Sequence, residues 1–282
     1  MRPEVWLEVG GVHLEGVTWD DVAGLLRFVD IPRGRVFADA DWVELPAPVT
    51  AVHMTTDPAT LLIADGDGMA LTSGGVITER LASPLANRPE IRMNDGGVDP
   101  AGRYLAGSMA YAFTTGAAEL YRLDADRSLH TVLTGVTCSN GIDWSADGTL
   151  CYYVDTPTKK IDVFDYDVTT GALTGRRTFA DTSDLSGMPD GLTVDADGGV
   201  WVAFWGGGRV VRYVAGKPDV IIELPVSQVT SCAFGGPDLD VLYISTSTEE
   251  LSPDQLRDQP AAGAIFRAEP GHRGRPANRF VI

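Results

Sequence analysis

The segment Asn140-Gly-Ile-Asp-Trp-Ser-Ala-Asp-Gly-Thr-Leu-Cys-Tyr-Tyr-Val154 contains the pattern that decides the fold. A polar turn, Ser145-Ala-Asp-Gly148, leads directly into an apolar run, Leu150–Val154, an order typical of a turn that precedes a buried β-strand. Similar turns recur elsewhere, at Asp99-Pro-Ala-Gly102, at Asp195-Ala-Asp-Gly198 and, in a weaker copy, at Asp57-Pro-Ala-Thr60. Because Asp, Pro and Gly supply the φ angles and side-chain hydrogen bonds of tight turns, we interpret these carboxylates as turn caps, not catalytic acids.

Strands are predicted at matching places along the whole chain. The apolar or alternating runs are Gly24–Val29, Thr60–Ala64, Arg103–Ala106, Leu150–Val154, Val200–Phe204 and Val241–Ser245. Their starts lie on average about 43 residues apart, near the length of one four-stranded propeller blade. Helical periodicity is nearly absent, and the best candidate, Pro253–Gln259, is short and polar. We therefore expect residues 1–282 to form a single all-β domain, a six-bladed β-propeller with four-stranded blades.

Composition narrows the expected partners and location. A formal net charge of -17 at pH 7 repels nucleic-acid phosphates and anionic lipids, so we expect neither partner, whereas metal cations and neutral polar ligands fit better. The alternative is that this charge serves only solubility. The sequence has neither the roughly 18 uninterrupted apolar residues of a membrane span nor a signal-peptide pattern, which predicts a cytoplasmic protein. Cys138, Cys151 and Cys232 form no C-x-x-C pair, and we expect buried free thiols.

Oxygen-bearing residues share one register within the repeats. Counting back eight residues from the glycine that ends a turn reaches an amide or a carboxylate in three repeats, and counting back nine from Gly24 reaches another carboxylate. The four residues are Glu15, Asn94, Asn140 and Asp190. Equivalent positions in a propeller lie on a ring around the central axis, so we expect these side chains to face one another. The two remaining repeats have Val52 and, in a looser alignment, Cys232 there.

The residue types at this ring predict a cation site. Two carboxylates and a carboxamide without His or Cys suit a hard cation such as Ca²⁺, Mg²⁺ or Mn²⁺, and carboxylate ligation of Zn²⁺ stays open. The alternative is structural, since Glu15-Gly16, Asn140-Gly141 and Asp190-Gly191 resemble loops, and Asn-Gly and Asp-Gly are common turn dipeptides. Recurrence of the register in separate repeats, each time before a strand, favours the site.

Arg92 lies two residues before Asn94, so in an extended segment both side chains point to one face. A guanidinium fork and an amide together suit a ligand rich in hydroxyl or carbonyl groups. The alternative is a surface arginine beside a turn asparagine.

A long motif in the middle of the chain resembles a known family. Arg92-Met-Asn-Asp-Gly-Gly-Val-Asp-Pro-Ala-Gly-Arg-Tyr-Leu-Ala-Gly-Ser-Met109 is similar to the R-x-N-D-G-x-x-D-P-x-G-R-x-x-x-G-[ST]-M segment of the gluconolactonase and regucalcin family of sugar lactonases. Further matches follow in the family's order, at Ser139-Asn-Gly-Ile-Asp-Trp-Ser145, Tyr152-Tyr-Val-Asp-Thr156, Phe164-Asp-Tyr-Asp167, Pro189-Asp-Gly191 and Gly207-Gly-Arg-Val210. The similarity extends from Glu15 to about Ser247.

The resemblance implies one divalent cation on the propeller axis, held by Glu15, Asn140 and Asp190, and substrate contacts from Arg92 and Asn94. One departure concerns substrate choice: animal members carry acidic residues after their G-T-M-A segment, whereas here Tyr111 follows Ala110. We expect Tyr111 to replace the missing contact through its ring or its hydroxyl, and the sugar itself is not predicted.

The expected function is metal-dependent hydrolysis of a sugar lactone to the aldonic acid. The cation polarises the lactone carbonyl, Asp190 acts as general base, and Arg92 and Asn94 orient the substrate. Two alternatives stay open: a non-catalytic calcium- or ligand-binding regulatory propeller, and an organophosphate or aryl esterase. Ser-His-Asp catalysis is disfavoured because no histidine has a nucleophile motif nearby.

Two histidines, His13 and His53, lie near the predicted channel mouth and are interpreted as packed or solvated side chains. Glu249–Pro260 is predicted to be a long surface loop near the channel rim that contributes to specificity. The sequence does not predict an oligomeric state.

Overall fold

The computed structural model describes residues 2–282, whose strands form six four-stranded antiparallel sheets. The first strand of the chain is β1 (Glu4–Glu8). Three complete sheets follow: β2 (Leu14–Asp20), β3 (Leu25–Asp30), β4 (Arg35–Ala38) and β5 (Asp41–Glu44); β6 (Val49–Met54), β7 (Leu61–Asp65), β8 (Met69–Ser73) and β9 (Val76–Ala82); β10 (Ile91–Val98), β11 (Tyr104–Ala110), β12 (Ala118–Leu123) and β13 (Leu129–Val136).

The second half of the chain forms the other three sheets. The fourth and fifth consist of β14 (Ser139–Trp144), β15 (Leu150–Asp155), β16 (Lys160–Asp167) and β17 (Ala172–Asp181), then β18 (Met188–Val194), β19 (Val200–Trp205), β20 (Arg209–Val214) and β21 (Lys217–Glu223). The sixth consists of β22 (Val229–Gly235), β23 (Val241–Thr246) and β24 (Ala264–Ala268), with β1 as its outer strand. Short 3₁₀ helices lie at Ile31–Arg33 and Thr156–Thr158, and α1 is Pro253–Asp258.

The sheets close into a ring, which confirms the predicted six-bladed propeller. The first strands β2, β6, β10, β14, β18 and β22 each contact the first strand of the next sheet, and β22 contacts β2 again. Closure is completed by β1, which pairs with β24 and joins the start of the chain to its last blade. The first strand of every sheet therefore lies nearest the central axis, where side chains from distant parts of the chain meet.

Each of the six apolar runs predicted as a strand is the second strand of a blade. Every predicted start lies within one residue of the observed strands β3, β7, β11, β15, β19 and β23. These strands are buried almost throughout, for example β11 along its whole length, whereas the outer strand β9 is mostly exposed. A strand covered on both faces reads as a continuous apolar run, which is why this strand gave the clearest pattern.

The hydrophobic core lies between adjacent blades. One cluster joins the third and fourth blades through Leu105, Trp144 and Tyr153. Burial of each such side chain contributes about 1.5–3 kcal/mol, so neighbouring blades hold one another in place. Five comparable clusters occupy the remaining interfaces.

The predicted turn caps are confirmed by their hydrogen bonds. Oδ1 of Asp99 accepts from the backbone N–H groups of Ala101 and Arg103, each at 2.8 Å. Oδ1 of Asp195 accepts in the same way from the N–H groups of Asp197 and Gly199. These carboxylates hold the hairpin between the first two strands of their blades and take no part in the ring of polar residues on the axis.

The prediction of a long surface loop over Glu249–Pro260 is wrong in part, because α1 lies within it, at the best helix candidate of the sequence. Ser252 and Gln255 form a reciprocal capping box, and Pro253 occupies the first turn, where its missing N–H costs nothing. The segment does reach the channel rim, since Glu249 and Glu250 line the cavity described below.

The two ends of the central channel differ. A cavity at one end is lined by residues near the beginnings of the inner strands, and a second cavity of about 120 Å³ lies where these strands end. The C-terminal segment helps to close this second end, where Arg275 donates to the carbonyl oxygen of Trp144 at 2.6 Å and Asn278 donates to that of Val98 at 2.9 Å.

All three cysteines are buried and unpaired, as predicted. Within residues 2–282, no helix has the length and apolar character needed to cross a membrane.

Candidate active site

The open end of the central channel contains a cavity of about 540 Å³. All six side chains predicted to form the site line this one cavity: Glu15, Arg92, Asn94, Tyr111, Asn140 and Asp190. They come from β2, β10, β14, β18 and the residue that follows β11. The polar register read along the chain thus corresponds to one place in the fold.

Irregular strand pairing sets the direction of these side chains. Glu15 lies opposite Val29 and Asn140 lies opposite Val154, and in both strands the pairing then shifts register. The pairing of β18 also shifts, between Pro189 and Leu192, which includes Asp190 in the irregularity. Such bulges turn a side chain away from the regular alternation of a strand and are frequent beside active sites. The nine-residue count to Glu15 therefore reaches the same structural position as the eight-residue count to Asn140.

The glycines after the polar residues allow neighbouring strands to approach closely. A Cβ on Gly141 would lie 2.7 Å from the carbonyl oxygen of Asp190, and one on Gly191 would lie 2.4 Å from Oγ of Ser231. Both glycines lie within inner strands. The alternative that these dipeptides merely form turns is therefore wrong for Asn140-Gly141 and Asp190-Gly191.

The two carboxylates of the ring lack the partners that buried charges usually have. Glu15 is 5% exposed and Asp190 is 6% exposed. Burial, and then the charge of Asp95, raises the pKa of Glu15 to about 8, although the N–H of Gly16 donates to it at 2.8 Å. Burial, and then the charge of Glu15, raises the pKa of Asp190 well above its usual range. Two neighbouring buried carboxylates cannot both ionise readily without a counter-charge.

A chain of hydrogen bonds fixes the amides and the guanidinium. Arg92 Nη1 donates to Asn94 Oδ1 at 2.6 Å, as expected for two side chains on one face of a strand. Asn94 Nδ2 in turn donates to Asn140 Oδ1 at 3.1 Å and to the carbonyl oxygen of Ser139 at 2.7 Å. Asn140 Nδ2 donates to Thr156 Oγ1 at 2.8 Å. This series joins the third and fourth blades and holds its members in fixed orientations.

Tyr111 lies at the rim of the cavity and is 57% exposed. The guanidinium carbon of Arg92 lies 5.9 Å from the centroid of its ring. The ring therefore borders the same space as Arg92 and is free to contact a ligand that enters from solvent.

Three polar residues near the site were missed or set aside by the sequence interpretation. Burial raises the pKa of Asp95 to about 6, and its charge acts on both Glu15 and Asp190. His13 Nδ1 lies 2.8 Å from Glu249 Oε2, and both line the cavity. For His13 a signal was present, because it lies two residues before Glu15 and extended residues two apart share a face.

The residues present fit a divalent cation. Within residues 2–282, no cluster of three or more His, Cys, Asp or Glu side chains is arranged to hold a metal ion, so a site here also needs an amide oxygen. Glu15 and Asp190 line the cavity beside the side-chain amide of Asn140, and both have raised pKa values, which a nearby cation would lower. Carboxylate and amide oxygens are suitable ligands for a hard divalent ion.

Sequence comparison identifies relatives along nearly the whole chain. The model of the SMP-30/Gluconolactonase/LRE-like region matches residues 14–248. Regucalcin from Oryctolagus cuniculus is 36% identical over 267 residues, which cover 90% of this chain and 89% of that protein. Human regucalcin is also 36% identical, over 269 residues and with the same coverage.

Solved structures agree with this relationship. A calcium-binding protein, regucalcin, from Agrobacterium tumefaciens superposes with a TM-score of 0.92 at 29% identity, covering 96% of this chain and 95% of that one. A gluconolactonase from Xanthomonas campestris has a TM-score of 0.73 at 19% identity and covers 95% of this chain and 94% of its own, a likeness that concerns the fold alone. Because the family model spans most of the sequence and the regucalcins align over nine-tenths of it, the chain belongs to the SMP-30/gluconolactonase/LRE-like family.

Proposed function

We propose that the chain is a divalent-metal-dependent lactonase that opens the ester ring of a sugar lactone to give the aldonic acid. The observation that carries this proposal is the buried pair Glu15 and Asp190, which faces a cavity together with Asn140; among residues 2–282, Arg92 is the one cation whose charge lowers the pKa of both carboxylates. Membership of a family that includes gluconolactonases supports the same substrate class.

Glu15, Asn140 and Asp190 would hold the cation, each through a side-chain oxygen. When bound, a divalent cation supplies a Lewis acid that polarises the lactone carbonyl and stabilises the negative charge developing on its oxygen. Ca²⁺, Zn²⁺, Mg²⁺ and Mn²⁺ all accept such oxygen ligands. The calcium-binding description of the Agrobacterium tumefaciens relative supports Ca²⁺ as the first ion to test.

The chain's own groups perform the proton transfer. Asp190 is the general base: it accepts a proton from the attacking water as the new C–O bond forms at the carbonyl carbon. The ring C–O bond then breaks, and the proton held by Asp190 passes to the leaving alkoxide, which becomes the hydroxyl of the aldonic acid. Burial and the charge of Glu15 raise the pKa of Asp190 when no cation is present, and a bound cation would favour the ionised form that accepts the proton.

Arg92 and Asn94 orient the substrate. Their hydrogen bond at 2.6 Å directs the guanidinium and the amide into one cavity, where they meet ring oxygens and hydroxyl groups as a fixed pair. Such positioning lowers the barrier because the reacting carbon and the water need no further alignment. Tyr111 borders the entrance and contacts the outer face of the sugar.

The test is to remove bound metal with a chelator and to follow acid release from a panel of aldonolactones. We expect activity to disappear in the stripped protein and to return on addition of a divalent cation. Full activity without metal would refute the mechanism. A panel extended to paraoxon-like and aryl esters separates a lactonase from an esterase, and cation binding without any turnover would indicate a regulatory propeller instead.

A further inference from the structure

One wall of the cavity contains a hydrogen-bonded pair of side chains that the proposed reaction does not use. His13 Nδ1 lies 2.8 Å from Glu249 Oε2, and the imidazole stacks on the indole of Trp205 with ring centroids 5.2 Å apart and an interplanar angle of 24°. All three side chains line the cavity that contains Glu15, Asn140 and Asp190. A polar pair backed by an aromatic ring therefore borders the space where substrate binds.

Both members of the pair are held by their backbones. The N–H of His13 donates to Asp30 Oδ1 at 3.0 Å, and the N–H of Glu249 donates to Ser247 Oγ at 2.9 Å. Ser247 Oγ donates in turn to the carbonyl oxygen of Val12 at 2.8 Å, so the loop that carries Glu249 is attached to the strand region that carries His13. Pairing across the closure of the ring thus orients the carboxylate before any ligand arrives.

The Glu249 carboxylate retains unused capacity to accept hydrogen bonds. Its side chain is 42% exposed, and within residues 2–282 no donor reaches Oε1. The hydrogen bond from His13, assisted by the charge of Arg92, holds the pKa of Glu249 below its usual range, so the group is ionised at neutral pH. A partly exposed hydrogen-bonded pair adds little to stability, whereas an ionised carboxylate at a cavity wall binds hydroxyl groups well.

We propose that Glu249 is a specificity-determining residue that accepts hydrogen bonds from hydroxyl groups of a polyhydroxylated lactone, and that His13, stacked on Trp205, is the residue that positions Glu249. This inference rests on the proposed lactonase function and deepens it by assigning the recognition of hydroxyl groups to one wall of the cavity. A ring without hydroxyl groups gains nothing from Glu249.

The experiment compares steady-state kinetics of the metal-loaded protein and its variants on D-glucono-δ-lactone. We expect Glu249→Gln to raise KM at least about tenfold with kcat within about threefold, because a hydrogen bond to a charged acceptor is lost while the reacting groups are unchanged. His13→Ala should raise KM similarly, and His13→Asn, which keeps a donor near the position of Nδ1, should restore much of the loss. The double variant Glu249→Gln with His13→Ala should be no worse than Glu249→Gln alone, since His13 acts through Glu249.

Inhibition by δ-valerolactone, the same ring without hydroxyl groups, provides the second readout. We expect δ-valerolactone to have the same competitive inhibition constant against D-glucono-δ-lactone hydrolysis in the wild type and in Glu249→Gln, whatever its absolute value. Asp254→Asn is the matched control: it removes an exposed carboxylate that is paired with Arg257 in α1, and it should change neither KM nor inhibition.

Three results for Glu249→Gln would each overturn the inference. The first is an unchanged KM, and the second is a fall in kcat as large as the fall in kcat/KM. The third is a rise in KM that is matched by an equal rise in the inhibition constant of δ-valerolactone. Failure of the proposed function looks different, because the wild type would then release no acid from D-glucono-δ-lactone with any divalent cation.

Discussion

Two buried aspartates of the fifth blade, at opposite ends of its inner strand, show the difference between a scaffold carboxylate and a candidate site. Asp195 is fully buried, but it accepts from Arg212 Nε at 2.6 Å and from Trp201 Nε1 at 2.8 Å, and these bonds outweigh burial and lower its pKa. Asp190 is 6% exposed, and burial together with the charge of Glu15 raises its pKa. The carboxylate that holds a turn is paired with a guanidinium, whereas the one that lines the cavity is buried beside another carboxylate.

The largest changes in kcat and in unfolding free energy are expected from matched substitutions of Asp190 and Asp195. Asp190→Asn should lower kcat by about 10³-fold or more, because both the general base and a cation ligand are lost, and should leave the melting temperature of the metal-free protein unchanged or higher. Asp195→Asn should have the opposite pattern, with near-normal kcat per folded molecule and a loss of about 3 kcal/mol in unfolding free energy, since the buried Arg212 loses its buried partner and keeps only the partly exposed Asp219. Assays of kcat and thermal unfolding on both variants decide the matter, and equal losses of activity would contradict the comparison.

Cation binding should stabilise the wild type. At a cation concentration of 100 times Kd, the free energy of unfolding should rise by about 2.7 kcal/mol, because the ion binds only the folded ring of ligands. Glu15→Gln removes one ligand charge and should lose most of this gain at the same cation concentration. The measurement is thermal unfolding with and without Ca²⁺. Asp195→Asn, in which the ring of polar residues is intact, is the control. A stabilisation by Ca²⁺ that persists in Glu15→Gln would place the stabilising ion elsewhere.

In the absence of cations, pH should act in opposite directions on the buried site carboxylate Glu15 and on the turn carboxylate Asp195. A carboxyl group whose pKa is raised in the folded state stabilises the fold at low pH, and this stabilisation is lost as pH rises. The contribution of Glu15 to the free energy of unfolding should therefore be lost between about pH 4.5 and about pH 8. We therefore expect chelator-treated wild type to lose at least about 1 kcal/mol relative to Glu15→Gln across this window.

Asp195 gives the opposite expectation. Its pKa is lowered in the folded state, so its contribution is present above its unfolded pKa of 3.8 and is lost on acidification. Denaturant unfolding as a function of pH tests both. A wild type that gains stability relative to Glu15→Gln with rising pH would show that Glu15 already has an internal partner.

The smallest effect is expected at the rim. Tyr111→Ala should raise KM for the sugar lactone about threefold, since the ring and its contact with Arg92 contribute about 0.5–1 kcal/mol at an exposed site. Tyr111→Phe should leave KM unchanged because the ring is retained. Equal effects of both substitutions would assign the contact to the hydroxyl group instead.

Much of this structure was predictable because a propeller repeats its constraints. The second strand of every blade was visible from its buried apolar run, and the turn residues fixed a register that reaches Asn94, Asn140 and Asp190. The exception at Glu15 is explained by strand pairing, since Glu15 opposite Val29 corresponds to Asn140 opposite Val154.

Other features depend on geometry that no local pattern specifies. Glu249 reaches His13 only because the last blade closes onto the first, across 236 positions of sequence. Asp95 directly follows Asn94, and simple alternation along a strand would send its side chain to the opposite face; the register shift between Met93 and Gly96 places its charge near Glu15 and Asp190 instead. The helix α1 lies at the best helix candidate of the sequence, Pro253–Gln259, but its short polar sequence has no apolar periodicity that would distinguish it from a surface loop.

The most direct measurement is an anomalous difference map from crystals soaked in Mn²⁺. We expect one dominant peak on the propeller axis, within about 2.6 Å of side-chain oxygens of Glu15, Asn140 and Asp190. This peak should disappear in crystals of Asp190→Asn. Peaks confined to surface carboxylates, with no density between these three residues, would contradict it.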